Sequence, residues 1–156
     1  MAVDAARPRP RVVIVGAGFG GINAARGLAG CGVDILLIDR TNHHVFQPLL
    51  YQVATAALAP SDIASPARAM LRRDRATSVI MGEVTGVDIT RRVVTVEDTG
   101  EFTYDYLILA TGAAYNWFGH EEWSAYATVL KSLRRGDDSP AAALCVRTSG
   151  KQQRSA

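Results

Sequence analysis

The sequence has few cysteines, and none of them lies at the spacing of a metal or redox site. Only Cys31 and Cys145 occur in the 156 residues, and they are far apart. Neither a zinc site nor a dithiol redox centre is predicted, and a reducing cytoplasm is the compartment that fits best. His43 and His44 have no Cys, Asp or Glu at ligand spacing, so they are interpreted as solvent-exposed or packing residues and no metal site is predicted.

The chain also lacks a basic body and a long apolar run. Residues 1–133 carry 12 basic and 13 acidic side chains, whereas residues 134–156 carry 5 and 2, so no nucleic-acid partner is predicted. The longest uncharged stretch, residues 41–61, contains two histidines, two glutamines and two prolines. It is too polar to span a bilayer, and the N-terminus has no secretory pattern. A cytoplasmic chain without a transmembrane segment is therefore predicted.

A strand–helix–strand pattern opens the chain. Residues 11–15 form a β-branched run that ends in glycine, and residues 33–38 form a second apolar run. Between them, Ile22, Ala25 and Leu28 recur at helical spacing within residues 18–30. Runs that are apolar apart from Arg11 and Asp34 are typical of a parallel sheet covered on both faces, so the pattern predicts a β-α-β unit.

Further strand-like runs follow between residues 78 and 109, with a turn at residues 98–100. The fold class predicted is α/β, with a Rossmann-like parallel sheet, helices, and a small antiparallel β-meander, in an incomplete domain. Ser65 is predicted to cap a helix that begins at Pro66 and buries Ala67, Met70 and Leu71. The predicted division is an N-terminal extension (1–10), a partial dinucleotide-binding domain (11–133) and a disordered or aberrant tail (134–156).

A glycine-rich turn follows the first strand. Gly16, Gly18 and Gly21 fit Gly-x-Gly-x-x-Gly, in which the first glycine allows a tight turn, the second lets a pyrophosphate approach, and the third lets the helix pack closely. Asp39 follows Gly21 by 18 residues, at the end of the next strand, where its carboxylate suits an adenosine ribose and would repel a 2′-phosphate. Arg40 is placed near the adenine. The pattern predicts binding of a dinucleotide, and the alternative is a turn that binds nothing.

Two further segments carry a family resemblance. They are Thr-Asn-His-His-Val-Phe-Gln-Pro-Leu-Leu-Tyr-Gln-Val-Ala at residues 41–54 and Tyr-Asp-Tyr-Leu-Ile-Leu-Ala-Thr-Gly at residues 104–112. With the glycine motif, they resemble the FAD-binding segment of type II (non-proton-pumping) NADH:quinone dehydrogenases. That family belongs to the flavoproteins with two dinucleotide domains, related to the FAD-dependent pyridine nucleotide-disulfide oxidoreductases. The resemblance covers about residues 10–133.

The resemblance implies FAD as the cofactor and assigns residues to its two halves. The ADP half would be held by Gly16, Gly18, Gly20, Gly21 and Asp39, with Val84 touching the adenine through its backbone. The residues assigned to the flavin are Gln47, Pro48, Leu49, Thr111 and Gly112. From the residues alone, the segment around Gln47 is equally compatible with a buried connection, and Gly112 with a plain turn.

The implied activity is transfer of hydride from NADH to FAD and of electrons to a quinone, on the cytoplasmic face of a membrane to which the family binds peripherally. No catalytic residue is assigned in this chain. The family's second glycine motif, its returning FAD segment and its amphipathic anchor have no match here, so a truncated gene product or a short paralogue is expected. The alternative function is a non-catalytic or vestigial dinucleotide-binding module, and a complementing chain stays open.

An aromatic group near the end of the resemblance is not assigned to quinone binding. Tyr115, Trp117 and Phe118 are interpreted as core residues or as the cover of a hinge.

Overall fold

The computed structural model of the protein describes residues 9–125 and 130–133. Residues 1–8 and the predicted tail lie outside these ranges, so the predicted division of the chain stays a prediction. The α-helices described are α1 (Phe19–Leu28), α2 (Leu50–Ala54), α3 (Pro60–Ile63) and α4 (Ala67–Leu71). The strands described are β1 (Arg11–Val15), β2 (Asp34–Asp39), β3 (His43–Val45), β4 (Ala64–Pro66), β5 (Thr77–Met81), β6 (Val84–Asp88), β7 (Val93–Val96), β8 (Gly100–Thr103) and β9 (Tyr106–Leu109).

A four-stranded parallel sheet has the order β5-β2-β1-β9. Val13 in the central strand β1 is in register with Leu36 of β2 on one side and with Leu107 of β9 on the other. The predicted strand–helix–strand unit is confirmed, with α1 connecting β1 to β2. The fold is a Rossmann-like α/β sheet with an added antiparallel sheet.

The parallel sheet is covered on both faces, which is why residues 12–15 of β1 and 35–38 of β2 are all apolar. Val12 and Ile14 of β1 belong to a core shared with α1 and α4, in which Ile22, Ala25 and Leu71 are buried. The alternate residues of β1 face the other way because successive side chains of a strand point to opposite faces. The second core contains Val13, Val15, Leu36, Ile38, Val94 and Val96.

The second face is covered by a three-stranded antiparallel sheet, β6-β7-β8. Val94 pairs with Val87 and Phe102, and positive φ angles occur at Asp98 in the turn before β8 and at Gly100, the first residue of β8. The predicted meander is therefore present. Two strands of the same run, β5 and β9, pair in the parallel sheet instead. The sequence separates the parallel-sheet strands poorly from the meander strands, because both kinds are only four or five residues long.

The predicted N-cap of α4 is wrong. Ser65 lies in β4, which forms a two-stranded sheet with β3, and no side chain caps the helix. Pro66 occupies the N-cap position in an extended conformation, with φ −58° and ψ 126°. Strand pairing keeps Ser65 extended, so the helix begins one residue later than predicted. The predicted inner face is confirmed, since Ala67 and Leu71 are buried.

Contacts between α-carbons divide the chain into two compact units. Of the described residues, the first contains 9–44 and Pro66–Gly112, and therefore the four-stranded parallel and three-stranded antiparallel sheets. The second contains Val45–Ser65 together with the described residues 113–125 and 130–133. Within the second unit, Leu50 of α2 and Ile63 of α3 are buried. None of the helices in residues 9–125 is long and apolar enough to cross a membrane.

The aromatic group of the second unit is not a core. Tyr115 and Phe118 are 55% and 82% exposed, so the core interpretation is wrong for both. The Tyr115 ring packs on the ring of Trp117, with centroids 4.8 Å apart. Residues 111–117 form an irregular segment without strand or helix, and aromatic composition alone does not distinguish such a segment from a core element.

Candidate functional site

The glycine-rich turn connects the carboxyl end of β1 to the start of α1. Gly16 has φ +106°, a conformation that favours glycine, and a β-carbon there would overlap the carbonyl oxygen of Ala110. A β-carbon at Gly21 would overlap the carbonyl oxygen of Gly16. These two glycines are therefore required by the close packing of the turn against itself and against the end of β9.

Gly18 differs from its neighbours because it faces open space. No heavy atom lies within 4 Å of the position that its β-carbon would take, whereas the same position at Gly20 is 3.5 Å from Ala110 Cβ. Gly18 is the N-cap of α1, and the first helical hydrogen bond runs from Ile22 N–H to Gly18 O at 3.1 Å. The N–H groups of Gly20 and Gly21 precede this bond and have no acceptor one helical turn earlier in α1, and the first turn carries no acidic side chain. This end of α1 suits an anion such as a pyrophosphate.

Asp39 lies beside the turn, at the carboxyl end of β2. Its Oδ2 accepts the N–H of Ala17 at 2.6 Å, and its Oδ1 accepts the N–H and the hydroxyl of Thr41 at 2.6 and 2.7 Å. An ionised carboxylate has about four acceptor positions, so these three donors leave about one for a ribose hydroxyl. Asp39 thus holds the glycine turn, and its predicted contact with a ribose stays a prediction.

The end of β9 meets the same turn. Ala110 N–H donates to Val15 O at 2.8 Å, and Gly112 has φ +76°. Thr111 and Gly112 are both exposed. The first unit therefore brings the glycine turn, Asp39 and residues 110–112 to the carboxyl edge of three parallel strands, where ligands of open α/β sheets bind.

Arg40 and Val84 lie at the border of this edge. Arg40 is exposed next to Asp39, and Val84 begins β6 opposite Val96. Gly82 N–H donates to Asp39 O at 2.9 Å, which fixes the connection between β5 and β6 close to the end of β2. Val84 is therefore two positions along the chain from Gly82, the residue that contacts Asp39 directly.

Gln47, Pro48 and Leu49 belong to the second unit. They form a single 3₁₀ turn, in which Gln47 and Pro48 are exposed and Leu49 is half-buried. Gln47 Nε2 donates to Lys131 O at 3.1 Å, a contact made within the same unit. Their predicted place near a flavin stays a prediction of the resemblance.

Sequence analysis interpreted His44 as a solvent-exposed or packing residue, and the structure places its ring against the glycine turn. His44 is the one buried polar side chain in the described parts of the chain, and its Nδ1 lies 2.9 Å from Ala17 O. The ring edge of Phe19 contacts the His44 ring, with centroids 4.8 Å apart and planes at 90°. Two adjacent histidines carry no local signal that one is buried, because the partner of His44 is 27 residues away.

Comparisons with known proteins agree with this geometry. Residues 10–138 match the family model of the pyridine nucleotide-disulphide oxidoreductases. The chain is 47% identical over 128 residues to the type II NADH:quinone oxidoreductase Ndh of Mycobacterium tuberculosis (strain ATCC 25618 / H37Rv), which covers 80% of this chain and 28% of that protein. It is 46% identical over 128 residues to NdhA of the same organism, covering 80% and 27%.

A solved structure has the same fold over most of this chain. NDH2 from Plasmodium falciparum in complex with NADH superposes with a TM-score of 0.75 at 26% identity, covering 87% of this chain and 28% of that one. The chain thus spans about 28% of the length of its relatives. The matched region contains both sheets and the glycine turn, and on this basis the chain belongs to the pyridine nucleotide-disulphide oxidoreductase family.

Proposed function

We propose that this chain binds FAD and forms the first FAD-binding part of a type II NADH:quinone oxidoreductase. The observation that carries the proposal is the open space at Gly18, beside the N-terminus of α1. At Gly16 and Gly21, other backbone atoms occupy the space that a β-carbon would need. At Gly18 no atom of the described chain lies within 4 Å of that position, so packing within the described chain does not require a glycine there. A glycine that leaves the helix N-terminus accessible is what a bound pyrophosphate needs.

The first unit would hold the ADP half of FAD. In this proposal the turn from Gly16 to Gly21 receives the pyrophosphate, and the remaining acceptor position of Asp39 receives a ribose hydroxyl. Arg40 and the backbone of Val84 border the adenine, since both lie at the edge formed by the end of β2 and the start of β6. Thr111 and Gly112 follow β9 on the other side of the turn and extend toward the flavin.

The chemistry belongs to the cofactor, which when bound accepts hydride from NADH and passes two electrons to a quinone. The residues described here bind and orient it, and none is assigned to proton transfer. The identities of 47% and 46% to proteins named type II NADH:quinone oxidoreductases support NADH and quinone as the substrates of the whole protein. A peripheral position on the cytoplasmic face of the membrane is proposed by the same resemblance.

Titration of the 156-residue chain with FAD tests the proposal. We expect flavin fluorescence to be quenched on binding and the midpoint of thermal unfolding to rise with FAD concentration, because a ligand that binds only the folded state stabilises it. ADP should compete with FAD. An adenosine diphosphate with a 2′-phosphate should compete less well, because Asp39 carries negative charge at the ribose. A chain that is folded but shows no FAD-dependent change in either signal would contradict the proposal.

A second candidate is a dinucleotide-binding module without turnover. The observation that favours it is that Gly-x-Gly-x-x-Gly occurs once in this sequence, whereas FAD and NADH each need a phosphate cradle. Hydride transfer also needs the two rings held about 3–3.5 Å apart. The two candidates differ in steady-state NADH oxidation with added FAD and a soluble quinone. Turnover by this chain well above that of free FAD would exclude the module without turnover.

A further inference from the structure

Two side chains hold the middle of the glycine turn from opposite directions. Ala17 is 2% exposed, and neither of its backbone polar groups is bonded within a helix or strand. Its N–H donates to Asp39 Oδ2 at 2.6 Å, and its carbonyl oxygen accepts from His44 Nδ1 at 2.9 Å. Because a carbonyl only accepts, His44 must carry its hydrogen on Nδ1.

These contacts fix two successive peptide planes. A trans peptide is rigid and planar, so its C=O and N–H point in opposite directions and cannot be set independently. The Asp39 contact orients the plane between residues 16 and 17. The His44 contact orients the next plane, between Ala17 and Gly18, and therefore sets the direction of the Gly18 N–H.

The Gly18 N–H lies at the N-cap of α1, where the pyrophosphate is proposed to bind. No protein acceptor for it lies among residues 9–125, and the space beside Gly18 is open. Ala17 O points toward His44, so the Gly18 N–H points away from His44. Without the His44 contact, a buried Ala17 carbonyl would lose its partner, and the peptide plane would rotate to recover one.

We propose that His44 is a positioning residue for the dinucleotide. It does not contact the ligand itself. By donating to the Ala17 carbonyl, it orients the Gly18 N–H toward the ligand. The inference rests on the proposed function, since it concerns the same turn. Glycines permit the turn but do not select one orientation of its peptide planes. The inference assigns that selection to His44, for which the sequence predicted no binding role. Phe19 packs edge-on against the ring and limits its rotation.

Substitutions at position 44 in the whole 156-residue chain test this role. His44→Asn keeps an N–H donor one bond beyond Cγ, as Nδ1 is, whereas His44→Leu fills apolar space without a donor. His43→Leu is the matched control, because the hydrogen bond described for the His43 ring joins its Nδ1 to Asn42 Oδ1 at 3.2 Å and not to the glycine turn.

The first measurement is made on the chain without ligand. It records the ¹⁵N–¹H chemical shift and the hydrogen-exchange rate of the Gly18 backbone amide. We expect His44→Leu to shift this resonance and speed its exchange, while His44→Asn and His43→Leu stay close to the wild type. An unchanged Gly18 resonance in a folded His44→Leu chain would overturn the inference. This measurement needs no cofactor, so it decides the role of His44 in the turn even if FAD does not bind.

The second measurement is the dissociation constant for FAD. We expect about a ten-fold increase for His44→Leu, the size of one lost hydrogen bond, and less than about a three-fold change for His44→Asn and His43→Leu. Equal FAD affinity of the wild type and a folded His44→Leu chain would overturn the inference. If His44→Leu does not fold, His44→Gln replaces it. The Gln amide nitrogen lies one bond farther from the backbone than Nδ1 of His44, so the variant keeps a donor but moves it away from the Nδ1 position. Equal FAD affinities of the Asn and Gln variants would then overturn it.

The two measurements separate the inference from the proposed function. A wild-type chain that binds no FAD contradicts the proposed function, and with it the cofactor half of this inference. A wild-type chain that binds FAD, with affinity and Gly18 resonance both independent of His44, contradicts the inference alone. A fall in FAD affinity that His44→Asn rescues supports both.

Discussion

The α-carbon of Gly21 lies against the carbonyl oxygen of Gly16, so closely that a β-carbon at position 21 would overlap that oxygen. The contact joins the first turn of α1 to the end of β1. Both atoms belong to backbone, and neither can move aside as the end of a flexible side chain can. The third glycine of the motif is therefore a packing residue in this structure, independent of any ligand.

Gly21→Ala is expected to destabilise the fold, and Gly27→Ala is its matched control in the same helix. The overlap at position 21 should lower the free energy of unfolding by about 3 kcal/mol or more, because the backbone must separate to admit a methyl group. Gly27 has no atom within 4 Å of its β-carbon position, so Gly27→Ala should raise stability by about 0.5–1 kcal/mol. Urea unfolding of the two variants measures both changes. Equal stabilities would show that the turn is looser than the structure describes.

Gly18→Ala is expected to separate binding from folding. Gly18 has φ −70°, which alanine adopts, and open space beside it, so the free energy of unfolding without ligand should change by less than about 1 kcal/mol. The added methyl group would occupy the space proposed for the pyrophosphate, and the dissociation constant for FAD should rise about 5- to 100-fold. Calorimetric titration with FAD and urea unfolding are the two measurements. Unchanged FAD affinity would place the pyrophosphate elsewhere.

Asp39→Ala is expected to weaken FAD binding by about 1.5–3 kcal/mol, since it removes a charged acceptor from both the ribose and the turn. Asp34→Ala is the control, because Asp34 is exposed at the other end of β2 and its carboxylate accepts no hydrogen bond within the described ranges. Thr41→Val separates the two effects, since it removes one internal donor to Asp39 and leaves the acceptor for the ribose in place. The measurement is the FAD dissociation constant of each variant. If Asp39→Ala and Asp34→Ala bind FAD equally well, Asp39 does not hold a ribose.

Asp74 should make stability depend on pH in the acid range. The hydroxyl of Thr77 donates to Oδ2 at 2.7 Å and the N–H of Ala76 to Oδ1 at 3.1 Å, and these bonds lower the pKa of Asp74 below its ordinary value of 3.8. Since the folded pKa is the lower one, the contribution is complete above pH 3.8 and is lost as the pH falls through the folded pKa.

Asp74→Asn should therefore be less stable than the wild type at neutral pH, and the difference should shrink below the ordinary pKa of 3.8. Asp34→Asn removes an exposed carboxylate that accepts no hydrogen bond within the described ranges, and it is the control for the loss of one side-chain charge. Urea unfolding of the three chains across this range is the measurement. A difference between wild type and Asp74→Asn that stays constant with pH would show that the carboxylate is not stabilised in the folded state.

Much of the first unit could be predicted from residues close together in sequence. The apolar runs at residues 11–15 and 33–38, with the glycines between them, determine strand, turn and helix because their patterns are local. The same local pattern located Asp39 at the end of β2. It failed at Ser65, where pairing of β4 with β3 overrides the capping preference of serine.

Residue type and short-range spacing were enough to identify the central strands β1 and β2 and the glycines of the turn between them. Tertiary structure alone decided that β5 and β9 flank β2 and β1, because strand pairing depends on partners distant along the chain. It also decided that Asp39 and His44 hold Ala17, over separations of 22 and 27 residues. Neither contact has a local pattern, because Ala17 supplies only backbone groups, its N–H to Asp39 and its carbonyl oxygen to His44, and any residue type carries these groups.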